Sequence, residues 1–271
     1  MKISFSSFTC PMWELGQILS TARDCGYHGV DIRVDANHHH GVEIDTTPER
    51  RKALAHEIRI SSIEPICLST GIQLIHKDSL ELIQSRIKLA ADLKFKAVRV
   101  LCGHPEDPMT PAEIVELLAP RVRQAAVLAE RQHLELWIET HDELSKGRLM
   151  AAVISEAAHD NVGVVYNTLH PYRMGESAQE TLAALGKRIA YVRFHDGLKD
   201  PEKVVVCPMG RGHLPLDKIF SGLLTIPYNG YLCGEWFHEQ YGHSPLEALQ
   251  LYYKEITRLI ELHQAALDFN E

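Results

Sequence analysis

The chain has 271 residues, of which 45% are hydrophobic and 24% are charged. This composition is typical of a globular protein with a full core, and the length suits one large α/β domain of roughly 250 residues. The formal net charge of −8 disfavours a nucleic-acid partner, because a surface of this sign repels phosphate backbones. No densely basic segment reverses that balance, so we expect no binding to nucleic acid.

The cysteine usage and the hydropathy pattern address the cellular compartment. The six cysteines form no C-x-x-C pair, which favours a reducing compartment over a disulfide framework. The segment 2–8 alternates and is too polar for the core of a signal peptide. No apolar stretch approaches the ~18 residues that a membrane helix needs. We therefore expect a soluble cytoplasmic protein with no membrane partner.

Short hydrophobic runs alternate with segments of helical period along the whole chain. The helical segments include Leu15, Ile18, Leu19 and Ala22 on one face. Eight such units predict a single (β/α)8 TIM barrel domain, α/β in class, over residues 1–271. An open doubly wound sheet would usually carry a glycine-rich turn after its first strand, and the segment 9–12 has none. The predicted strands are 3–8, 29–34, 62–68, 97–102, 134–139, 162–167, 190–195 and 230–235.

Two of the intervening helices have recognisable starts. Thr47 precedes Pro48, and Thr110 precedes Pro111. A threonine cap followed by proline at the first helical position is a typical beginning of a helix.

Four predicted strands end in a residue that can bind metal or move a proton: Glu139, Asn167, His195 and Glu235. Asn167 follows Glu139 by 28 positions, His195 follows Asn167 by 28, and Glu235 follows His195 by 40, the spacing of one strand plus one crossover helix. Because side chains alternate along a strand, all four can point into the barrel mouth. Barrels keep their chemistry at this carboxyl end.

This residue set predicts a divalent metal site. Carboxylate and amide oxygens plus one imidazole suit Mn²⁺, Mg²⁺, Co²⁺ or Zn²⁺, and such an ion polarises a carbonyl and stabilises an enediolate. Glu139 and Glu235 then remove and return a proton. His104, after the fourth strand, is a further candidate for substrate binding. The other inward charges, Arg99, Glu135 and Arg193, are interpreted as an interior ion-pair layer.

Several motifs resemble those of xylose isomerase-like barrels over nearly the whole chain. That group includes sugar phosphate isomerases and epimerases, tagatose 3-epimerase relatives, inosose dehydratases and relatives of the endonuclease IV fold. The matching segments, in chain order, are Gly26–Arg33, Ile138–His141, Asn167–Pro171, Arg193–Gly197, Gly210–His213 and Gly234–Trp236.

The resemblance implies metal ligands at Glu139, Asn167, His195 and Glu235, with the two glutamates doubling as the acid/base pair. It also implies substrate contacts at His170, at Arg211 in the glycine turn and at His141. Arg211 is equally explained as an exposed loop residue, and His141 as a hydrogen-bonded loop histidine. The family usually has aspartate where this chain has Asn167, so one negative charge is missing. We therefore expect weakened affinity for a metal that chelator strips easily.

These observations leave several functions open. The first is an isomerase or epimerase acting on a sugar, a sugar phosphate or a similar polyol through an enediolate. The second is a dehydratase of a keto-polyol or keto-acid such as an inosose, which shares the proton abstraction. A repair endonuclease is disfavoured, since the segment 205–209 lacks the Asp-x-His expected there. A sugar-binding barrel without turnover is the remaining alternative. The residues leave the oligomeric state open, and a homodimer is suggested only by analogy with barrels of this group.

Two further segments receive structural interpretations. The run 38–40 consists of three histidines after the second strand, and it is interpreted as a polar loop. The aromatic segment 236–241 after the eighth strand is expected either to line the pocket or to pack on a second subunit.

Overall fold

A closed barrel of parallel strands forms the centre of the molecule. In the computed structural model, which describes residues 1–237 and 241–268, the barrel order is β1-β10-β7-β6-β5-β4-β3-β2. This arrangement confirms the predicted (β/α)8 barrel. The strands are β1 Lys2–Ser6, β2 Gly29–Arg33, β3 Glu64–Gln73, β4 Ala97–Leu101, β5 Glu135–Glu139, β6 Val162–Asn167, β7 Ile189–Arg193, β8 Asp196–Gly197, β9 Val206–Cys207 and β10 Tyr231–Gly234.

Helices cover the outside of the barrel between successive strands. Short 3-10 turns at Ser7–Thr9, Asp142–Ser145 and Gly186–Arg188 complete the connections. The helices are α1 Leu15–Asp24, α2 Pro48–Ser61, α3 Ser79–Asp92, α4 Pro111–Glu130, α5 Gly147–Ala157, α6 Leu169–Arg173, α7 Ala178–Leu185, α8 Leu216–Leu224 and α9 Pro245–Asp268.

The predicted helix starts are confirmed. Thr47 accepts a hydrogen bond from the Arg50 N–H. Thr110 and Glu113 form a reciprocal capping box at the start of α4. Such caps satisfy backbone donors that the helix leaves unpaired, and each contributes about 1 kcal/mol.

Because side chains alternate along each strand, the interior is divided into two apolar layers. Leu136 and Ile138 of β5 face the helices and belong to the large outer core. Trp137 points into the barrel, where it stacks on Tyr191 with ring centroids 5.5 Å apart. Gly163 on the neighbouring strand admits this indole, since a Cβ there would lie 2.7 Å from Trp137 Cδ1. The inner layer therefore fills the barrel below its mouth.

The predicted eighth strand is preceded by a small ribbon that the sequence analysis did not identify. β8 and β9 pair antiparallel, with Asp196 opposite Cys207 and Gly197 opposite Val206. The ribbon lies directly after β7 and His195, so it forms one wall of the barrel mouth.

Candidate active site

A cavity of about 170 Å³ opens at the carboxyl ends of the strands. This is the end at which TIM barrels keep their reactive groups. Its lining residues are Phe8, Arg33, Arg99, Leu101, Glu139, His141, Asn167, His170, Arg193, His195, Val204, Val206, Glu235, Trp236 and Phe237. The four strand-end residues expected to converge thus face one cavity, together with His141 and His170.

Glu139 is the most enclosed carboxylate of the cavity, with 1% of its side chain exposed. Its Oε2 lies 3.2 Å from Arg99 Nε and 3.3 Å from Arg193 Nη1. Burial alone would raise the pKa of Glu139, but the two arginines outweigh burial and hold the pKa far below its ordinary value. Glu139 is therefore ionised throughout the physiological range.

Glu235 shares Arg193 with Glu139 but differs in protonation behaviour. Its Oε1 accepts a hydrogen bond from Arg193 Nη1. Burial raises the pKa of Glu235 above its ordinary value, and the attraction of Arg193 offsets only part of that effect. The two carboxylates around one guanidinium nitrogen thus have pKa values displaced in opposite directions.

Arg193 and Arg99 form the ion-pair layer that the sequence analysis expected, but the layer includes the predicted catalytic pair. Arg193 Nη2 donates to Asp31 Oδ2 and to Ser69 Oγ, both at 3.0 Å. The expectation for the third member, Glu135, was wrong. It lies at the opposite end of the barrel with 41% of its side chain exposed, because it begins β5 instead of ending it.

Asn167, which ends β6, and His195, which lies two residues after the observed end of β7 and not at the predicted strand end, complete the set. Asn167 Nδ2 donates to Glu139 Oε1 at 2.8 Å, and Asn167 Oδ1 accepts from the Leu169 N–H at 3.3 Å. Both ring nitrogens of His195 are buried without a hydrogen-bond partner among the described residues. Burial and the nearby charge of Arg193 lower the pKa of His195 to about 4, so the ring is neutral at pH 7.

The loop histidines separate into two groups. His141 and His170 line the cavity with ring centroids 4.2 Å apart, and His141 Nδ1 lies 2.5 Å from Asp142 Oδ1. His170 Nδ1 is buried and has no partner among the described residues. His104 lies farther out, in an adjoining depression, with 70% of its side chain exposed and its Nδ1 2.9 Å from Glu143 Oε1.

Arg211 does not line the cavity; it is exposed on the glycine turn. The turn itself is held by Asp196, whose carboxylate accepts from the N–H groups of Gly210 and Gly212, both at 2.9 Å. A Cβ on Gly212 would lie 2.2 Å from Asp196 Oδ1, so that position requires glycine. The segments Arg193–Gly197 and Gly210–His213, which both carry the family resemblance, thus form one structural unit beside the barrel mouth.

Several lining residues were not identified as site residues from the sequence. Arg33 is the last residue of the motif Gly26–Arg33 and of β2, and its Nη1 donates to the Val34 carbonyl at 2.6 Å. The ring of Phe8 contacts that of Phe237 at 4.9 Å between centroids. Trp236 and Phe237 line the pocket, which supports the first of the two interpretations of that aromatic segment; residues 238–240 lie outside the described residues. Arg33 could have been identified from the sequence by its position near the end of the predicted strand 29–34.

The histidine run after β2 has a structural role at its last member. His40 is buried, its Nε2 lies 2.8 Å from the Arg33 carbonyl, and its Nδ1 accepts from the Val42 N–H at 3.0 Å. These contacts fix the loop that follows Arg33. His38 packs beside Phe8, with ring centroids 5.7 Å apart.

The donor set does not fit a divalent ion as it is arranged. The guanidinium of Arg193 lies between the two glutamates that would share the ion, and the Asn167 amide is turned to Glu139 through its nitrogen. Within residues 1–237 and 241–268, no group of three or more His, Cys, Asp or Glu side chains is placed to hold a metal. The unpartnered nitrogens of His195 remain free for another ligand.

A family profile described as "Xylose isomerase-like TIM barrel" matches residues 19–262. The chain belongs to this family. The resemblance stated from the motifs is thereby confirmed, and the family includes proteins named as isomerases and epimerases.

One relative and two solved structures illustrate the similarity. An inosose isomerase of Bacillus velezensis is 23% identical over 96% of this chain and 97% of its own length. The structure of the IOLI protein, described with a binding zinc atom, superposes with a TM-score of 0.82 at 22% identity over 96% of this chain and 98% of its own. An L-ribulose 3-epimerase gives a TM-score of 0.81 at 17% identity, covering 100% and 98%.

Neither α4 nor α9, the longest helices, nor any other described helix is both long and apolar enough to cross a bilayer.

Proposed function

We propose that the chain is an isomerase or epimerase of a keto- or aldo-polyol, working by proton transfer through an enediolate. The observation that carries this proposal is the pair Glu139 and Glu235, which face one cavity, contact the same Arg193 nitrogen and have pKa values displaced in opposite directions. Two carboxyls whose environments separate their pKa values are suited to act as base and acid. The similarity to proteins named as an inosose isomerase and an L-ribulose 3-epimerase supports the same class of reaction.

The proposed chemistry assigns each carboxyl one step. The ionised Glu139 removes the proton from the carbon beside the substrate carbonyl, and the electron pair of that C–H bond forms the enediolate. In an epimerisation, the protonated form of Glu235 then delivers a proton to the opposite face of the same carbon, and the carbonyl is restored. In an isomerisation, it delivers the proton to the former carbonyl carbon, while the proton of the neighbouring hydroxyl moves to the former carbonyl oxygen and a new carbonyl forms. Positioned proton transfer of this kind typically contributes 10²–10⁴-fold to a rate.

The cavity walls favour a polyol over an extended ligand. Aromatic and aliphatic side chains from Phe8, Leu101 and Trp236 stand beside charged and imidazole groups, and sugars present both apolar C–H faces and hydroxyl groups. The neutral rings of His170 and His195 offer buried nitrogens to substrate hydroxyls. The expected divalent ion is not carried into this proposal, because Arg193 lies among its predicted ligands.

Product analysis with a panel of inososes and ketoses tests this function. We expect a product of unchanged mass that carries one solvent deuterium when the reaction is run in D₂O. Loss of water from the substrate would instead identify the dehydratase that shares the first step. Saturable binding without any turnover across the panel would contradict catalysis and favour a sugar-binding barrel.

A further inference from the structure

The guanidinium of Arg193 occupies the position around which the predicted metal ligands are gathered. Its Nη1 contacts Glu235 and lies 3.3 Å from Glu139, while its Nη2 contacts Asp31 and Ser69. Only 3% of the side chain is exposed. Four of its five N–H groups are therefore engaged with the protein, and three of them meet carboxylates.

The carboxamide of Asn167 is oriented for this arrangement and not for an ion. A carboxylate oxygen only accepts hydrogen bonds, so the amide nitrogen must face Glu139, at 2.8 Å. The amide oxygen then faces the backbone N–H of Leu169. The nitrogen of the Asn167 amide, and not its oxygen, therefore faces Glu139.

The charges in and beside the cavity balance without an added ion. Glu139, Asp31 and, in its ionised form, Glu235 supply three negative charges at most, and Arg33, Arg99 and Arg193 supply three positive ones. Compared with the usual aspartate, Asn167 removes one negative charge, and the Arg193 guanidinium adds one positive charge. Relative to a site with aspartate at this position and without the guanidinium, the net charge is more positive by two, which is the charge that a divalent ion would bring. A further dication would leave an uncompensated charge in a buried site, which is strongly unfavourable.

Some buried nitrogens around this guanidinium have no hydrogen-bond partner among the described residues. They are Arg193 Nε, His170 Nδ1 and both ring nitrogens of His195. Buried polar atoms are nearly always paired, so an unpaired group lining a cavity indicates a ligand that brings the missing partner. Neutral imidazoles and one N–H donor suit carbonyl and hydroxyl oxygens, which are uncharged.

We propose that Arg193 is the resident cation of this barrel, which needs no divalent ion, and that its Nε–H holds the carbonyl oxygen of the substrate. A fixed guanidinium donor stabilises the negative charge that develops on that oxygen when the neighbouring C–H bond breaks. The second part rests on the proposed function, whereas the first part concerns metal affinity alone. The two are therefore tested separately.

Metal affinity is measured by titrating chelator-treated protein with Mn²⁺ and following the free ion by electron paramagnetic resonance. Wild type is expected to bind no stoichiometric Mn²⁺ at millimolar concentration. The double variant Asn167→Asp/Arg193→Ala restores an aspartate and removes the guanidinium, so it is expected to bind one Mn²⁺ and to gain thermal stability from it. Arg258→Ala, which removes an exposed arginine of α9, is the control and is expected to resemble wild type.

Each outcome decides the metal question. One tightly bound Mn²⁺ in wild type would overturn the proposal. Absence of binding in both wild type and the double variant would also overturn it, because the guanidinium would then not occupy a cation position. The thermal unfolding of the double variant is measured with and without Mn²⁺, which shows whether the variant is folded. If it is folded and Mn²⁺ does not change its unfolding temperature, the result counts as absence of binding. Turnover of a polyol by wild type in the presence of chelator is expected from the first part. Arg193→Lys keeps the positive charge but lacks the Nε–H, so a loss of that turnover is expected from the second part, and turnover at the wild-type rate would overturn it.

Discussion

Arg193 ends β7, and its Nη1 donates to Glu235, which follows β10 on the adjacent strand of the barrel. The same nitrogen lies 3.3 Å from Glu139 across the mouth. One guanidinium therefore fixes the separation and orientation of the two carboxyls proposed to move protons. It also makes their protonation states interdependent, because a charge change at either glutamate is felt through Arg193.

The pH profile of kcat/KM follows from the displaced pKa values. Activity requires Glu139 ionised and Glu235 protonated, so we expect a bell-shaped profile. The pKa of Glu139 is lowered, which places the acid limb below 4.5, and the pKa of Glu235 is raised, which places the alkaline limb above 4.5. A profile without an alkaline limb in wild type would rule out Glu235 as the proton donor.

Removal of Arg193 is expected to destabilise the fold strongly. Arg193→Ala removes the common partner of the buried Glu139 and Asp31 and of the half-buried Glu235, and loss of one partner of a buried ion pair typically costs 3–5 kcal/mol. The free energy of unfolding in urea measures the effect. Arg258→Ala removes an exposed pair with Glu255, and we expect it to cost about 0–1 kcal/mol. Equal losses in the two variants would show that Arg193 is not held by its ion pairs.

Acid should destabilise the protein partly through His40. Burial lowers the pKa of His40 to about 4, whereas the unfolded chain titrates near 6.5, so the unfolded state binds more protons between these values. The contribution of the neutral ring is complete above pH 6.5 and is lost as the pH falls toward 4. Protonation would also break the Val42 N–H hydrogen bond to Nδ1.

Urea unfolding of wild type and His40→Gln at pH 7 and pH 5 checks this contribution. The variant is expected to be less stable at pH 7 and to lose less stability between the two pH values. An unchanged difference between pH 7 and pH 5 in the variant would exclude His40 as a source of the acid sensitivity.

Asp196 is expected to matter more than the Arg211 that it positions. Asp196→Ala leaves the N–H groups of Gly210 and Gly212 without their acceptor, which we expect to cost about 2–4 kcal/mol and to expose the turn to protease. Asp200→Ala is the matched control, since Asp200 also accepts from two loop N–H groups but is only half-buried, whereas Asp196 is buried. Limited proteolysis that cleaves both variants equally would contradict the role of Asp196.

The strand periodicity predicted the barrel and the direction of its side chains. Glu139 points inward because it lies two residues after Trp137, and a period of two fixes that direction regardless of the partners. The same parity placed Asn167 and His195 at the mouth. The substrate contacts predicted at Arg211 and His104 stay predictions, and the structure places both residues outside the cavity.

The sequence could not reveal how far a side chain reaches. Arg193 lies two residues before His195 and points to the same face of the strand. Its long side chain reaches the two glutamates at the mouth of the barrel. The alternation of side chains therefore predicted which way Arg193 points but not which residues it contacts. Asp31 and Arg33 join the site from β2, where no spacing relates them to the later strands. The orientation of the Asn167 amide depends on Glu139, which is distant along the chain but adjacent in the barrel.

Exchange of substrate hydrogen with solvent is the most direct test of Glu139 as the base. Wild type and two variants of β5, Glu139→Gln and Glu135→Gln, are incubated with an accepted polyol in D₂O and followed by proton NMR. The account predicts that Glu139→Gln slows the loss of the carbon-bound proton by about 10²–10⁴-fold, while Glu135→Gln at the far end of the barrel exchanges at the wild-type rate. Equal exchange in Glu139→Gln and wild type would contradict the account.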